Sequence, residues 1–115
     1  MRRGDVYWAA IEPRSGSEQR GRRPVVVLSH DGFNQTRGWR SIIVVPLSTS
    51  QTQRRRGLTA VPLEPADCGL AKTSLALCHQ ITTLDRAKLR DRVGQLPQAA
   101  MQRVEAGLKA AIDIE

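Results

Sequence analysis

GSEQRGRRPVVVLS, residues 16–29, joins a polar stretch directly to a short apolar one. Two glycines interrupt any regular pattern and the residues between them are polar, which predicts a loop over 12–22. The three consecutive valines are β-branched and predict a buried strand over 24–29. Because Pro24 favours an extended backbone for the residue before it, Arg23 is expected to be held where the mobile loop meets the rigid strand. Binding and catalytic groups commonly lie on such loops.

Outside this stretch, most of the chain consists of short extended segments separated by turn residues. The run Ile-Ile-Val-Val at 42–45 is apolar at every position, which is typical of a central strand. Pro46 predicts a bulge or a loss of pairing in that strand. The wholly polar residues 48–57 predict a mobile loop. Further strands are predicted at 4–11, 39–47, 58–63, 73–79, 81–84 and 92–96.

The hydrophobic period changes after Pro97. Apolar residues recur at 101, 104, 108 and 112, the spacing of one helix face, so a helix is predicted from Pro97 onward. Gly107 would weaken this helix by roughly 1 kcal/mol relative to Ala, which predicts a close packing contact there. Five or six short strands followed by one helix indicate a mainly β fold, a small barrel packed by a C-terminal helix. We expect one domain over residues 1–115.

The composition is strongly basic. The net charge is +7, and 15 of the 18 basic residues are arginine. Arginine recognises phosphate through planar, bidentate contacts, although a coding bias towards arginine would give the same count. Either origin leaves a surface that attracts nucleic acid or other polyanions.

Cysteine use and hydropathy predict a cytoplasmic protein without a metal or another cofactor. Cys68 and Cys78 are too few for a disulfide framework or a four-thiolate zinc site, so we expect them to be reduced and partly buried. No apolar segment of a signal peptide follows the first residues. No apolar run approaches the ~20 residues that a membrane span needs.

Short motifs are spread over nearly the whole chain. They are RGDVYW at 3–8, Pro13 with GSEQ at 16–19, RPVVVLS at 23–29, Asn34, VVPLS at 44–48, QI at 80–81, LD at 84–85, Leu89, and Val104, Ala106 and Leu108 in the helix. With these motifs in this order, the chain closely resembles the MazF/PemK (Kid-type) family of toxin endoribonucleases, the mRNA interferases. Any one motif would be weak alone, but the combination is specific.

The resemblance implies a homodimer of SH3-like barrels of the CcdB/MazF type. It implies sequence-specific, metal-independent cleavage of single-stranded RNA. It also implies a cognate MazE-like antitoxin that lays a disordered segment across the RNA groove. Promoter DNA would be bound only through the toxin–antitoxin complex.

Metal-free RNA cleavage uses the 2′-OH as an internal nucleophile, with a base, an acid and positive charge for the phosphorane. The products are a 2′,3′-cyclic phosphate and a 5′-OH. Arg23 matches the family's essential arginine, although it could instead balance Asp5 or Glu18. Ser48 matches the family's catalytic threonine, but Thr49 follows it, and either could present the hydroxyl. Glu18 matches a loop acid that could act as the base or bind a nucleotide.

Further residues are expected to bind RNA. The arginines would contact phosphates, although the triplet at 54–56 could equally be a solvated charge run. His79 lies where relatives carry a carboxylate and could move a proton, although a lone histidine at a strand end is more often structural. The set comprises Ser17, Gln19, Arg20, Arg22, Arg54, Arg55, Arg56, His79 and Gln80.

Two other classes of protein compete with the nuclease. One is a non-catalytic, CcdB-like toxin of the same barrel type that acts on a protein target such as gyrase. The other is a nucleic-acid-binding barrel without catalytic activity. Arg23 with a hydroxyl at 48 or 49 favours the nuclease, and four aromatic residues give little stacking surface for a plain binding protein.

Overall fold

A computed structural model describes residues 1–11 and 21–115. In these residues seven strands pair antiparallel in the order β4-β5-β3-β2-β1-β7, with β6 also paired to β3. The strands are β1 (Asp5–Ile11), β2 (Gly21–Val27), β3 (Ser41–Ser48), β4 (Ala60–Leu63), β5 (Ser74–Leu77), β6 (Thr82–Asp85) and β7 (Leu89–Gln95). The helices are α1 (Asp31–Asn34), α2 (Pro65–Cys68) and α3 (Gln98–Ile112). Three 3₁₀ segments are Gln51–Thr59, Cys78–Gln80 and Arg86–Lys88. The predicted mainly β fold with a C-terminal helix is confirmed.

The central strands are buried on both faces, because side chains alternate between the two sides of a sheet. On one side, Val26 and Val45 pack in a cluster with Val104 of α3. On the other side, Val25 and Val27 pack with Ala9, Ile42, Val44 and Leu89. The valine run that the sequence marked as a buried strand therefore contributes to both cores.

Strand β2 begins at Gly21, three residues before the predicted start at 24. The polar composition of these residues suggested a loop, but β1 pairs with them: Ile11 lies opposite Gly21, and Ala9 lies opposite Arg23. Pairing with a neighbouring strand overrides the weak preference of polar residues for loops. Arg23 thus lies within the strand, two residues from its start, and not at the end of a loop.

The bulge or loss of pairing predicted at Pro46 occurs on one edge of β3 and not on the other. Towards β2 the register continues without a shift, with Val25 opposite Pro46 and Val26 opposite Val45. On the opposite edge, β3 pairs with β6 up to Val44 and with β5 from Leu47 onward. Pro46 lies where the partner strand changes, a position at which a residue without an N–H is tolerated.

The predicted mobile loop at 48–57 is wrong, because most of it forms the 3₁₀ segment Gln51–Thr59, kinked at Gly57. Two side-chain bonds at i,i+3 support it: Arg54 Nε donates to Gln51 Oε1 at 2.5 Å, and Arg56 Nε donates to Gln53 Oε1 at 2.7 Å. Side chains at i and i+3 line up in a 3₁₀ helix, so this spacing is matched to that structure.

Helix α3 begins after Pro97, which is its N-cap, and it packs closely at Gly107 as predicted. A Cβ atom on Gly107 would lie 2.6 Å from Val61 Cγ2 and 2.8 Å from Cys78 Sγ. Ile112, expected on the buried face, is instead 56% exposed, and it is the last residue of the helix. Cys68 and Cys78 are both buried thiols. None of the helices in the described ranges is long and apolar enough to cross a membrane.

Gly69 and Gly38 provide a matched test of packing. Both have a left-handed backbone, with φ +78° and +86°, but a Cβ on Gly69 would lie 2.8 Å from the Val93 carbonyl oxygen, whereas at Gly38 no described atom lies within 4 Å. The left-handed backbone costs Ala about 1–2 kcal/mol at either site. The steric clash adds about 1–3 kcal/mol at Gly69 alone. Urea unfolding should therefore show a larger loss of stability for Gly69→Ala than for Gly38→Ala, and equal losses would contradict this packing.

Candidate active site

Arg23 lies where β2 begins and β3 ends. Its Nη2 donates to the Leu47 carbonyl oxygen at 3.4 Å, a long hydrogen bond that sets the position of the group without contributing much energy. The β2–β3 pairing ends at Val25–Pro46, and the same register extended by two residues would set Arg23 opposite Ser48, the last residue of β3. The structure therefore brings the half-buried guanidinium to the end of β3, beside the predicted hydroxyl.

Strand alternation separates the two candidate hydroxyls. Residues opposite each other in an antiparallel pair project from the same face, so Ser48 shares a face with Arg23. Thr49 follows the strand, one residue further along, and is exposed. Ser48 Oγ accepts a hydrogen bond from the Ser50 backbone N–H at 3.1 Å, which leaves its own proton to donate to an acceptor such as a phosphoryl oxygen.

The alternative that Arg23 balances Asp5 gains no support from the contacts of Asp5. This buried carboxylate accepts from Arg92 Nε and Gln95 Nε2, each at 3.2 Å, and from the Arg2 backbone N–H at 2.8 Å. The other proposed partner, Glu18, lies outside the described residues, as do Ser17, Gln19 and Arg20. The 12–20 connection leaves and rejoins the sheet at the Ile11–Gly21 pair, two residues from Arg23.

Arg22 projects from the opposite face to Arg23. Its Nη2 lies 2.5 Å from Asp91 Oδ2, and its guanidinium carbon lies 5.5 Å from the centre of the Trp8 ring. Sequence analysis missed Asp91, because it is 69 residues away along the chain. In the sequence, the one local feature that marks Asp91 is its position as a single acidic residue between Arg90 and Arg92.

His79 and Arg56 form a second group. Arg56 Nη1 lies 2.6 Å from His79 Nδ1 and also contacts Nε2, so the 3₁₀ segment at 51–59 is docked on the Cys78–Gln80 turn that carries His79 and Gln80. Ser48 pairs with Leu75 near the start of β5, whereas His79 follows the end of that strand. Leu75, the residue paired with Ser48, and His79 therefore lie towards opposite ends of β5. Arg54 and Arg55 are exposed on the same segment.

Tyr7 is a further polar group on the Arg23 face that sequence analysis missed. It lies opposite Val25, two residues from the Ala9–Arg23 pair. Partial burial, and then the charge of Asp5, raise the pKa of Tyr7, so its hydroxyl stays protonated at neutral pH. Within residues 1–11 and 21–115, no group of three or more His, Cys, Asp and Glu side chains could hold a metal ion.

A mainly antiparallel sheet with one packed C-terminal helix places the chain in the class of small barrel-like β folds. The fold resembles that of Mycobacterium tuberculosis toxin MazF-mt6, with a TM-score of 0.78 and 20% identity over 96% of this chain and 98% of that one. It also resembles a mycobacterial endoribonuclease solved in complex with its cognate antitoxin, with a TM-score of 0.74 and 24% identity over 100% and 95% of the two chains.

Sequence comparison identifies the family within this class. Residues 2–112 match the profile of the PemK-like, MazF-like toxin of type II toxin–antitoxin systems. Endoribonuclease MazF6 of Mycobacterium tuberculosis (strain ATCC 25618 / H37Rv) is 34% identical over 116 residues, 97% of this chain and 96% of that protein. Endoribonuclease EndoA of Bacillus subtilis (strain 168) is 33% identical over 112 residues, 97% and 94% of the two proteins. The chain belongs to the PemK/MazF toxin family.

Proposed function

We propose that this protein is the toxin of a type II toxin–antitoxin system and an endoribonuclease that cuts single-stranded RNA at short specific sequences. The relatives named endoribonuclease support the activity. The observation that carries the proposal is the position of the Arg23 guanidinium at the end of β3, next to Ser48. Both groups can donate hydrogen bonds to the oxygens of a phosphorane, and the guanidinium also supplies positive charge.

In this mechanism the ribose 2′-OH attacks the adjacent phosphorus, the bond from phosphorus to the 5′-oxygen breaks, and a proton from solvent completes the 5′-OH. Arg23 stays charged at neutral pH and donates two parallel hydrogen bonds to the phosphorane oxygens, whose negative charge grows during attack. Ser48 Oγ–H donates a hydrogen bond to a nonbridging oxygen of the phosphorane, with Thr49 as the alternative donor. Glu18 takes the proton of the 2′-OH. DNA lacks the 2′-OH, so it would bind without being cut.

RNA binding follows from the charges around this pair. Arg22, on the opposite face from Arg23, and the arginines at 54–56 would contact phosphates away from the cleavage point, since basic side chains supply most of the affinity for a nucleic-acid backbone. His79 and Gln80 border the 51–59 segment and would contact bases or sugars. The predicted contacts from the 12–20 connection are Ser17, Gln19 and Arg20.

The same proposal includes a cognate MazE-like antitoxin, a homodimeric toxin, and action in the cytoplasm. A structural relative was solved with its cognate antitoxin, which supports the first. A strongly basic surface suits an acidic, disordered antitoxin segment that folds as it binds. Promoter DNA would be bound only as part of the toxin–antitoxin complex.

Incubating the purified protein with a defined single-stranded RNA tests the proposal. We expect cleavage at a small set of sites, with 2′,3′-cyclic phosphate and 5′-OH ends, and the same rate in excess EDTA, because the mechanism uses protein groups alone. The matched DNA oligonucleotide should remain intact. Inhibition of gyrase without RNA cleavage would favour the CcdB-like alternative, and binding without either effect would favour a plain nucleic-acid-binding barrel. Activity lost in EDTA and restored by a divalent cation would contradict the mechanism.

A further inference from the structure

The ion pair between Arg22 and Asp91 takes no part in the chemistry proposed above. Because β1 pairs with β2 on one side and with β7 on the other, the Arg22 side chain crosses β1 to reach Asp91. Trp8 of β1 lies beneath it, with the guanidinium carbon 5.5 Å from the ring centre. The Trp8 ring and the Asp91 carboxylate together hold one arginine across three strands.

Both partners of this ion pair are open to solvent, with 52% of the Arg22 side chain and 69% of the Asp91 side chain exposed. Such exposed pairs contribute little net stability, so they exchange readily. A carboxylate and a phosphate offer an arginine the same planar arrangement of two oxygen acceptors. An RNA phosphate that reached Arg22 would therefore compete with Asp91 for the Nη2 side of the guanidinium.

We propose that Asp91 is an internal counter-ion that competes with RNA phosphate for Arg22 and so lowers the affinity of the protein for RNA. This inference rests on the proposed function, because it assumes that RNA passes Arg22. Arg22 alternates between two partners of the same charge, Asp91 in the free protein and a phosphate in the complex. Asp91 contacts no reacting atom in this scheme and changes substrate binding without changing the chemical step.

Asp113 provides a matched control for Asp91. Both aspartates are exposed and both have a left-handed backbone with φ 58°, which Asn adopts as readily as Asp. Asp113 is the C-cap of α3, far along the chain from Arg22. Asp91→Asn and Asp113→Asn therefore make the same change in net charge and backbone preference, and they differ in the loss of the Arg22 partner.

The probe is a single-stranded RNA oligonucleotide with every 2′-OH methylated, which can bind but cannot be cut. We expect Asp91→Asn to bind it about two- to five-fold more tightly than Asp113→Asn does at low salt. The slope of log affinity against log salt should be the same for the two variants, because Arg22 contacts the same phosphate in both complexes. With unmodified RNA, Asp91→Asn should lower KM and leave kcat unchanged.

Substituting Arg22 separates the loss of competition for Arg22 from the general effect of removing one negative charge. In an Arg22→Gln background, Asp91→Asn and Asp113→Asn should bind the probe equally, since the partner for which Asp91 competes is gone. If wild-type protein cuts RNA but the two Asp variants have equal affinity for the probe, the counter-ion proposal is wrong and the proposed function stands. Weaker binding of the probe by Asp91→Asn than by Asp113→Asn also overturns the counter-ion proposal and leaves the proposed function standing. A wild-type protein that neither cuts RNA nor binds the probe overturns both.

Discussion

Arg23→Ala should lower the rate of RNA cleavage by at least about 10²-fold, the usual effect of removing one donor from a site that stabilises developing negative charge. The expected loss is in the chemical step, because the guanidinium lies beside Ser48 and its charge is needed most when the phosphorane forms. Single-turnover cleavage of a short RNA containing one cut site measures this step directly. Arg23→Lys should recover part of the rate, since it keeps the charge but loses the planar pair of donors.

The fold should persist in Arg23→Ala. The side chain is half-buried and the backbone forms the pairing of Ala9 with residue 23, so removal of the side chain leaves this pairing in place. Arg90→Ala is a suitable control, because Arg90 is an exposed arginine on β7 that faces β1 opposite Trp8. Circular dichroism and the urea midpoint should match wild type for both variants. A folded Arg23→Ala protein that cleaves at the wild-type rate would remove Arg23 from the catalytic site.

Much of the fold follows from local patterns of residues. The valines at 25–27 and the apolar run at 42–45 are long enough and apolar enough to mark the two central strands, and the spacing after Pro97 marks α3. The start of β2 could not be found in this way. Its polar residues are ordered by pairing with β1 across the 12–20 connection, and no property of residues 21–23 alone reports that pairing.

The 51–59 segment shows a second limit of sequence reasoning. A run of polar residues is typical of a loop, and the two Gln–Arg pairs at i,i+3 stabilise a 3₁₀ turn through side-chain bonds that composition does not reveal. The spacing could have been noticed, but i,i+3 pairs of this kind are common on surfaces and carry little weight alone.

The candidate site also has a part that the sequence predicts and a part that depends on the folded sheet. Arg23 and Ser48 were both chosen from motifs, but their proximity depends on the β2–β3 register, which is a property of the folded sheet. The choice between Ser48 and Thr49 depends on that register too, since a shift of one residue would reverse the face of each. The contact between Arg22 and Asp91 joins strands that are not neighbours in the sheet, and no motif indicates it.

Ser48→Ala should reduce cleavage by about 10- to 10²-fold, because a hydroxyl aimed at the phosphorane is a weaker donor than a guanidinium. Thr49→Ala should keep the wild-type rate within about a factor of two, since Thr49 follows the strand and lies outside the face shared by Arg23 and Ser48. Single-turnover rates on the same RNA compare the two substitutions directly.

Ser48 also accepts a hydrogen bond from the Ser50 backbone N–H, so its loss could disturb the start of the 51–59 segment. Ser48→Thr separates the two roles, because threonine retains the hydroxyl and is the residue that the family resemblance implies at this position. It should restore the rate that Ser48→Ala loses. In the double variant Arg23→Ala/Ser48→Ala the combined loss should be smaller than the product of the single losses, as for groups that act on one transition state. A large loss in Thr49→Ala, with little change in Ser48→Ala, would mean that the strand ends in a different register when RNA is bound.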